Sequence, residues 1–235
     1  VGYRRPMSNW AIVVVALLVT IVVVALIAIP FLFGGVLPFS RVVGSGNVQT
    51  QERTFSDFSN VDVDSGFRVQ ISQGSSYRIA ITADDNLFNY VQVTKTGSTL
   101  AIRLQLGVSF QTSTLKAEIM MPDLQELQFS GGVNGVATGF VLSHDFKVTL
   151  SGGAYLKMDG RANNLIATCS AGSSLDLSHF AVNNAQIEFS AGSQGTINLN
   201  GRLDANLSAG SRLFYIGKPT MGNINLSAGS TISPA

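Results

Sequence analysis

A four-residue motif recurs six times between residues 127 and 230: Phe129-Ser130-Gly131-Gly132, Leu150-Ser151-Gly152-Gly153, Cys169-Ser170-Ala171-Gly172, Phe189-Ser190-Ala191-Gly192, Leu207-Ser208-Ala209-Gly210 and Leu226-Ser227-Ala228-Gly229. The serines fall 21, 19, 20, 18 and 19 residues apart. A period near 20 with small residues at a fixed point means one short unit stacked on copies of itself. Three residues before each Ser stand Leu127, Val148, Ala167, Ile187, Ala205 and Ile224. One residue before stand Phe129, Leu150, Cys169, Phe189, Leu207 and Leu226, and between them lie Gln128, Thr149, Thr168, Glu188, Asn206 and Asn225. Apolar, polar, apolar is the alternation of a strand with one buried face. Each Ser is followed by Gly or Ala and then by Gly, as a sharp corner requires, since glycine takes left-handed backbone angles without strain.

A second strand follows most corners, through Leu156 and Met158, Leu175 and Leu177, Ile197 and Leu199, and Leu213 and Tyr215. A third, shorter side returns through Phe146, Leu165, Ala185 and Leu203. No such coil buries its own apolar face, but stacking coils ~4.8 Å apart joins those faces into one core. The expected fold class is all-β: a right-handed parallel β-helix of roughly 20 residues per coil, preceded by one N-terminal transmembrane α-helix. An antiparallel sandwich also uses short strands and turns, but its turns do not repeat the same residues in register.

The membrane helix is expected from residues 10–29, which carry no charge. Twenty residues as a helix span ~30 Å, the thickness of a bilayer core. Phe31, Phe33 and Phe39 read as aromatic anchors at the far interface, with Trp10 at the near one. Arg4 and Arg5 precede the span and only Arg41 follows closely, which puts the N-terminus in the cytoplasm and the repeats outside. A cleaved signal peptide would export the domain equally, but its apolar region is shorter, ~7–15 residues. No Cys lies near the span to carry a lipid. The expected organisation is a stub and anchor over 1–39, a linker over 40–52, and a β-helix domain over 53–235 with its repeats at 127–230. Gly44-Ser45-Gly46 in the linker resembles a fragment of a phosphate loop, but no helix follows it.

Charged residues make up 12% of the chain, about half the usual share, and the net charge is +1. No basic field exists for nucleic acid to exploit. From residue 53 the pattern is one of strands: Phe58, Val61 and Val63; Phe67, Val69 and Ile71; Tyr77, Ile79 and Ile81; Val91 and Val93; Leu100, Ile102, Leu104 and Leu106; Leu115, Ala117, Ile119 and Met121. Lys95-Thr96-Gly97-Ser98 is a hairpin signal, and Pro122 ends the last strand.

This stretch resembles the autotransporter-adhesin head domain family called GIN, from about residue 53 to 230. The resemblance is carried by Arg53-x-Phe55-x-x-Phe58-x-x-Val61-x-Val63, Val69-x-Ile71-x-Gln73-Gly74, Ala83-Asp84-Asp85-Asn86-Leu87, Leu100-x-Ile102, and Pro122-x-Leu124-x-x-Leu127-x-x-Ser130-Gly131 leading into the repeats. It implies an exported β-helix and brings no catalytic residues. Relatives include lipoproteins and soluble exports, so a membrane helix here is a departure.

The candidates for chemistry are few. His144 and His179 fall 14 and 9 residues after their serines, in different columns, and read as solvated loop residues. Cys169 shares the inward column of Phe129 and Leu150 and reads as a buried small hydrophobe. Asp84-Asp85-Asn86 could offer oxygens to Ca²⁺, but the further acidic ligand of a calcium loop is missing, so a self-capping turn is expected. Asp159, Asp176 and Asp204 lie 8, 6 and 14 residues after their serines, scattered where a glycoside hydrolase or lyase needs convergence. No His or Lys is placed to activate the stacked Ser130, Ser151, Ser170, Ser190, Ser208 and Ser227, which read as a hydroxyl ridge for a ligand or partner. The sequence therefore predicts no catalytic residues, no cofactor and no metal.

The function expected is a membrane-anchored, extracytoplasmic binding or adhesion module of the cell envelope, holding a polysaccharide or protein. The alternative is a structural spacer or self-associating surface protein, with a carbohydrate-active enzyme third. Asn206-Leu207-Ser208 and Asn225-Leu226-Ser227 match the glycosylation pattern. Self-association is expected through the C-terminal coil, whose edge Pro234 only partly blunts.

Overall fold

A computed structural model describes residues 40–112 and 114–235. The chain divides into two compact units. Of the first, Val1–Arg41 with Gly107–Ser109, only Ser40, Arg41 and Gly107–Ser109 are described. The second, Val42–Leu106 with Phe110–Ala235, carries the two large sheets and the sites described below.

Each repeat contributes one strand to each of two sheets. The segment before the serine forms β10 (Glu126–Phe129), β12 (Phe146–Leu150), β14 (Asn164–Cys169), β16 (Asn184–Phe189), β18 (Arg202–Leu207) and β20 (Thr220–Leu226). The segment after the corner forms β11 (Asn134–Val141), β13 (Tyr155–Arg161), β15 (Ser174–Val182), β17 (Gln194–Leu199), β19 (Arg212–Ile216) and β21 (Thr231–Pro234). Neighbours pair in parallel, and the partners are the columns of the sequence: Phe129 with Leu150, Leu150 with Cys169, Cys169 with Phe189, Phe189 with Leu207, Leu207 with Leu226. The inward column is fully buried from Phe129 to Leu207. Its last member, Leu226, is 45% exposed because no layer covers it among the described residues.

The layers continue below residue 126 without the motif. Strand β3 (Asn60–Val63) lies in register beneath β10, and β4 (Arg68–Gln73) beneath β11. Between them, Ser65 and Gly66 both take positive φ, 75° and 72°, as the corners of the repeats do. Val61-x-Val63-Asp64-Ser65-Gly66 is thus a further corner in which Asp64 replaces the serine, and Ser130 donates to its carboxylate at 2.7 Å. One layer lower lie β7 (Thr99–Leu104) under β3 and β9 (Leu115–Met121) under β4.

Here the expected fold class is overturned. The parallel ladders continue into antiparallel pairs within the same two sheets. Strand β6 (Val91–Thr96) runs antiparallel to β7, β5 (Arg78–Asp84) to β9, and β2 (Val48–Arg53) to β5. The described chain is therefore an all-β fold of mixed nine- and ten-stranded sheets, with a further two-stranded ladder of β1 (Ser40–Val43) and β8 (Val108–Gln111), not a right-handed parallel β-helix. The physical reason is local. Only two residues separate β6 from β7, with Gly97 at φ 57°, and so tight a turn can only return the chain antiparallel. The third side is also absent: Phe146, Leu165, Ala185 and Leu203 lie in the same strands as the inward column. The membrane helix expected near 10–33 lies outside the described residues. Among those described, no helix is long and apolar enough to cross a membrane.

Candidate functional site

The six serines stand at equivalent corners, one layer apart, and the corner geometry explains why. In each, the residue after Ser takes φ near 50–60° and the following Gly takes φ of 71–77°. The serine carbonyl accepts the N–H three residues on, at 3.2–3.3 Å. Positive φ at both central residues defines a mirror-image β-turn, for which glycine is best suited. Ala171, Ala191, Ala209 and Ala228 nevertheless occupy the first of these positions, at about 1–2 kcal/mol each. Gly131 and Gly152 are different: a Cβ on Gly131 would stand 2.6 Å from Asp64 Oδ1, and one on Gly152 3.1 Å from the Gly131 nitrogen.

Stacking holds these strained turns in place. Each serine N–H donates to the layer before, as Ser170 does to the Leu150 carbonyl at 2.9 Å. The corner glycine donates to the layer after, as Gly172 does to the Ala191 carbonyl at 3.0 Å. Ser193, Ser211 and Ser230, three residues further on, donate their hydroxyls to the carbonyls of Ser190, Ser208 and Ser227 at 2.7–2.8 Å. Ser130, Ser151, Ser170, Ser190 and Ser208 are half-buried and Ser227 is exposed. The structure thus brings all six to one ridge and gives each a structural role through its backbone.

A parallel ladder of polar side chains runs along another corner. Asp145 accepts Nδ2 of both Asn163 and Asn164; Asn163 and Asn164 in turn accept from Asn183 and Asn184 at 2.9 and 2.8 Å. Asn184 then accepts the Arg202 N–H. His144 sits beside this ladder with Nε2 2.8 Å from Asp123 Oδ1 and Nδ1 2.8 Å from the Asp145 carbonyl. Oxygen acceptors against both nitrogens favour the imidazolium, so the Asp123 hydrogen bond, then the Asp145 carbonyl, raises its pKa.

His179 lies near Ser178 and Asp176, but in the wrong order for a nucleophile. The Ser178 hydroxyl donates to Asp176 at 2.6 Å and stands 3.0 Å from His179 Nδ1, so serine occupies the middle, where a triad needs histidine. The other carboxylates serve the backbone: Asp159 accepts the Gly139 N–H, and Asp204 accepts both the Arg202 guanidinium and the Asn223 N–H. These donors, Arg202 first, hold Asp204 at a pKa of about 2. Cys169 is fully buried and unpaired, and burial pushes its thiol up to about 12.

Asp84-Asp85-Asn86 does not cap itself, as the sequence suggested; it clamps a distant strand connection. Asp84 Oδ1 accepts the Gly46 N–H at 2.9 Å, and its Oδ2 accepts the Thr112 hydroxyl at 2.7 Å. Asp85 takes the Ser45 hydroxyl and the Asn47 amide, which lower its pKa, while Asn86 bonds the Ser45 N–H and the Val43 carbonyl. The Gly44-Ser45-Gly46 run is therefore a clamped strap. Sequence reasoning also missed two outward aromatics, Tyr155 and Phe214, in columns that apart from Val136 are otherwise polar; comparing those columns across the repeats would have found them.

Equivalent corners stacked on a two-sheet frame define a repeat-built, all-β protein. The chain belongs to the family described as "Putative auto-transporter adhesin, head GIN domain", which it matches over residues 57–219. Three solved structures share the fold. A putative adhesin from Bacteroides fragilis NCTC 9343 has a TM-score of 0.66 at 16% identity, covering 81% of this chain and 98% of its own. A putative lipid binding protein from Parabacteroides distasonis ATCC 8503 has 0.57 at 16%, covering 83% and 100%. A putative adhesin from Parabacteroides merdae ATCC 43184 has 0.54 at 17%, covering 83% and 99%. At such identities the likeness is one of fold. No curated protein shows a significant match to the chain.

Proposed function

We propose that the protein is a non-catalytic, adhesion-type binding module of the cell envelope, displayed outside the cell and attached to the membrane through its charge-free stretch at 10–29. The observation that carries this reading is the serine ridge. Its hydroxyls recur at one-layer spacing on a hydrogen-bonded frame, and the polar column Gln128, Thr149, Thr168, Glu188, Asn206 and Asn225 runs beside it on the outward face. Catalysis needs different groups converging on one point. Adhesion to a polymer needs the same group repeated, because many weak contacts add through effective concentration. Asp159, Asp176 and Asp204, the carboxylates a carbohydrate-cleaving enzyme would use, do not converge: Asp159 and Asp176 stand on different strands of the ten-stranded sheet and Asp204 on the nine-stranded one. The adhesin description of the family supports the same reading.

The ligand class is an envelope polysaccharide or protein, and binding to purified envelope fractions tests it. The full chain is expected to sediment with envelope polysaccharide, and the triple change Ser151→Ala, Ser170→Ala, Ser190→Ala to weaken that binding with the thermal melt retained. Failure of the unaltered chain to bind any envelope fraction would sink the reading. Protease added to intact cells should degrade the repeats; their protection until the membrane is permeabilised would reverse the orientation.

A second reading, a self-associating surface protein, is favoured by one feature. Strands β20 and β21 each have one neighbour among the described residues, and Met221 and Leu226 are 42% and 45% exposed.

A further inference from the structure

On the outward face of the ten-stranded sheet, two aromatics stand in columns that are otherwise polar apart from Val136. Strand pairing sets Tyr155, Ser174, Gln194 and Arg212 in one row, and Lys157, Asp176, Thr196 and Phe214 in the next. Tyr155 on β13 and Phe214 on β19 are therefore three strands apart, about 14 Å at ~4.8 Å per strand. Between them lies an open groove of about 300 Å³, walled by the two aromatics and floored by Ser174, Asp176, Gln194 and Thr196. That volume sits at the small end of ligand sites, ~300–1,000 Å³, and has room for one or two sugar rings.

The floor is preorganised. Strand β15 slips register against β17 after Asp176, which loops Ser178 back onto that carboxylate. Asp176 Oδ1 accepts the Ser178 N–H at 3.1 Å and its hydroxyl at 2.6 Å. Oδ2 has no protein partner among the described residues, so an anchored anion turns one free acceptor to the groove. Burial is the largest single effect on Asp176 and opposes its ionisation, but the Ser178 hydrogen bonds together with the charges of Lys157 and His179 lower its pKa, while burial first, and then the Asp176 charge, raises that of Tyr155. Near neutral pH the site thus holds a fixed acceptor, a phenolic donor, and hydroxyl and amide groups of both kinds.

We propose that this groove is a saccharide-binding subsite for a neutral, hydroxyl-rich glycan chain, with Tyr155 and Phe214 packing against sugar C–H faces and Asp176, Gln194 and Thr196 taking hydroxyls. The ring faces of the aromatics carry partial negative charge and suit the weakly positive C–H edges of a sugar. Lys157, paired with Asp176 in the same row, offsets that carboxylate, so the groove carries no strong field that selects a charged chain. A peptide strand finds no unpaired backbone here, because β15 and β17 are hydrogen-bonded on both sides. The proposal rests on reading the protein as a binding module, and places its ligand next to the serine ridge: Tyr155, Ser174 and Gln194 each follow a ridge serine by four residues.

The test uses the purified full chain and neutral pentasaccharides (cellopentaose, laminaripentaose, chitopentaose, mannopentaose) in isothermal titration calorimetry. At least one is expected to bind in the millimolar range or tighter. Tyr155→Ala, Phe214→Ala and Asp176→Asn should each weaken it about tenfold or more, Tyr155→Phe should retain most of it, and Gln92→Ala, exposed on β6 of the other sheet, should leave it unchanged. Should an alanine variant lose its thermal melt, Asp176→Asn and Tyr155→Phe, which preserve shape, carry the comparison. Binding of no pentasaccharide, or binding indifferent to all three groove variants, overturns the subsite. If the chain still sediments with envelope material in that case, the subsite alone has failed; if it does not, the binding-module reading has failed with it.

Discussion

Within a single repeat, side-chain volume is traded across the core. Where the inward residue before the serine is Phe, the residue five after the serine is Gly: Phe129 with Gly135, Phe189 with Gly195. Where it is Leu or Cys, that residue is Leu or Ile: Leu150 with Leu156, Cys169 with Leu175, Leu207 with Leu213, Leu226 with Ile232. A Cβ on Gly135 would stand 2.1 Å from Phe129 Cε2, and one on Gly195 2.8 Å from Phe189 Cε2. Gly135→Ala should therefore cost about 1–3 kcal/mol through overpacking. Adding Phe129→Leu should recover much of that loss, since the two atoms compete for one space; denaturant unfolding of the singles and the double checks this, and strictly additive losses would refute it. His144 supplies a second residue-scale prediction. Its pKa is raised in the folded state, so its contribution is full below the ordinary histidine value, ~6.5, and is lost as pH rises through the folded value. The pair with Asp123 is partly exposed, which limits the effect to about 0.5 kcal/mol. Unfolding free energy should fall between pH 6 and 8 in the native chain relative to His144→Gln; parallel pH curves would mean the pair contributes nothing.

At the scale of the strand, register decides which side chains meet the core. Leu207 is buried and Asn206 beside it is exposed, with Ala205 and Leu203 buried at the alternate positions. A one-residue slip would turn the whole apolar set of β18 outward, so the ladder is pinned by burial on one face. Leu207→Asp should cost about 3–5 kcal/mol, because a carboxylate buried among Leu and Phe has no partner. Asn206→Asp should change the thermal melt by little more than an ordinary surface substitution. Comparable losses in the two would show that the strand faces are reversed. The corners add a second pin, since each is hydrogen-bonded to the layer before and the layer after, and a slipped strand would break both bonds.

Across the second unit, the two sheets finish differently at their two limits. The ladders run out in the antiparallel strands β6 and β2 on one side and in β20 and β21 on the other, each with one neighbour among the described residues, and at the second side Met221 and Leu226 are partly bare. Exposed strand edges with apolar side chains recruit further strands. If a second copy covers this edge, light scattering on the full chain should report oligomers that grow with concentration, and Leu226→Lys should dissociate them. A strict monomer at high concentration would rule out the second copy as the occupant. The charge-poor surface makes this a hydrogen-bonding and packing contact rather than one steered by long-range charge.

The repeats could be read because each is local. Alternation around the serine is set by the two-residue period of a strand, so Phe129, Leu150, Cys169, Phe189 and Leu207 were identifiable as one buried column, and the family could be recognised from the order of its motifs. The Ser-Gly/Ala-Gly corner was legible for the same reason: positive φ restricts residue type within three positions. Tertiary structure decided the rest. The corner at Asp64-Ser65-Gly66 escaped notice because its partner, Ser130, lies 66 residues away and the identity of the corner rests on a hydrogen bond across that distance. The role of Asp84, Asp85 and Asn86 depends on Ser45, Gly46 and Asn47, which pairing of β2 with β5 brings alongside them. The groove between Tyr155 and Phe214 joins four strands. The Lys95-Thr96-Gly97-Ser98 turn made the antiparallel pair of β6 with β7 legible, but the antiparallel pairing of β5 with β9 and of β2 with β5 was hidden for a deeper reason. A strand's alternation records which face is buried and carries no trace of its neighbour's direction; that is set by the turn that connects them and the ladder that receives them.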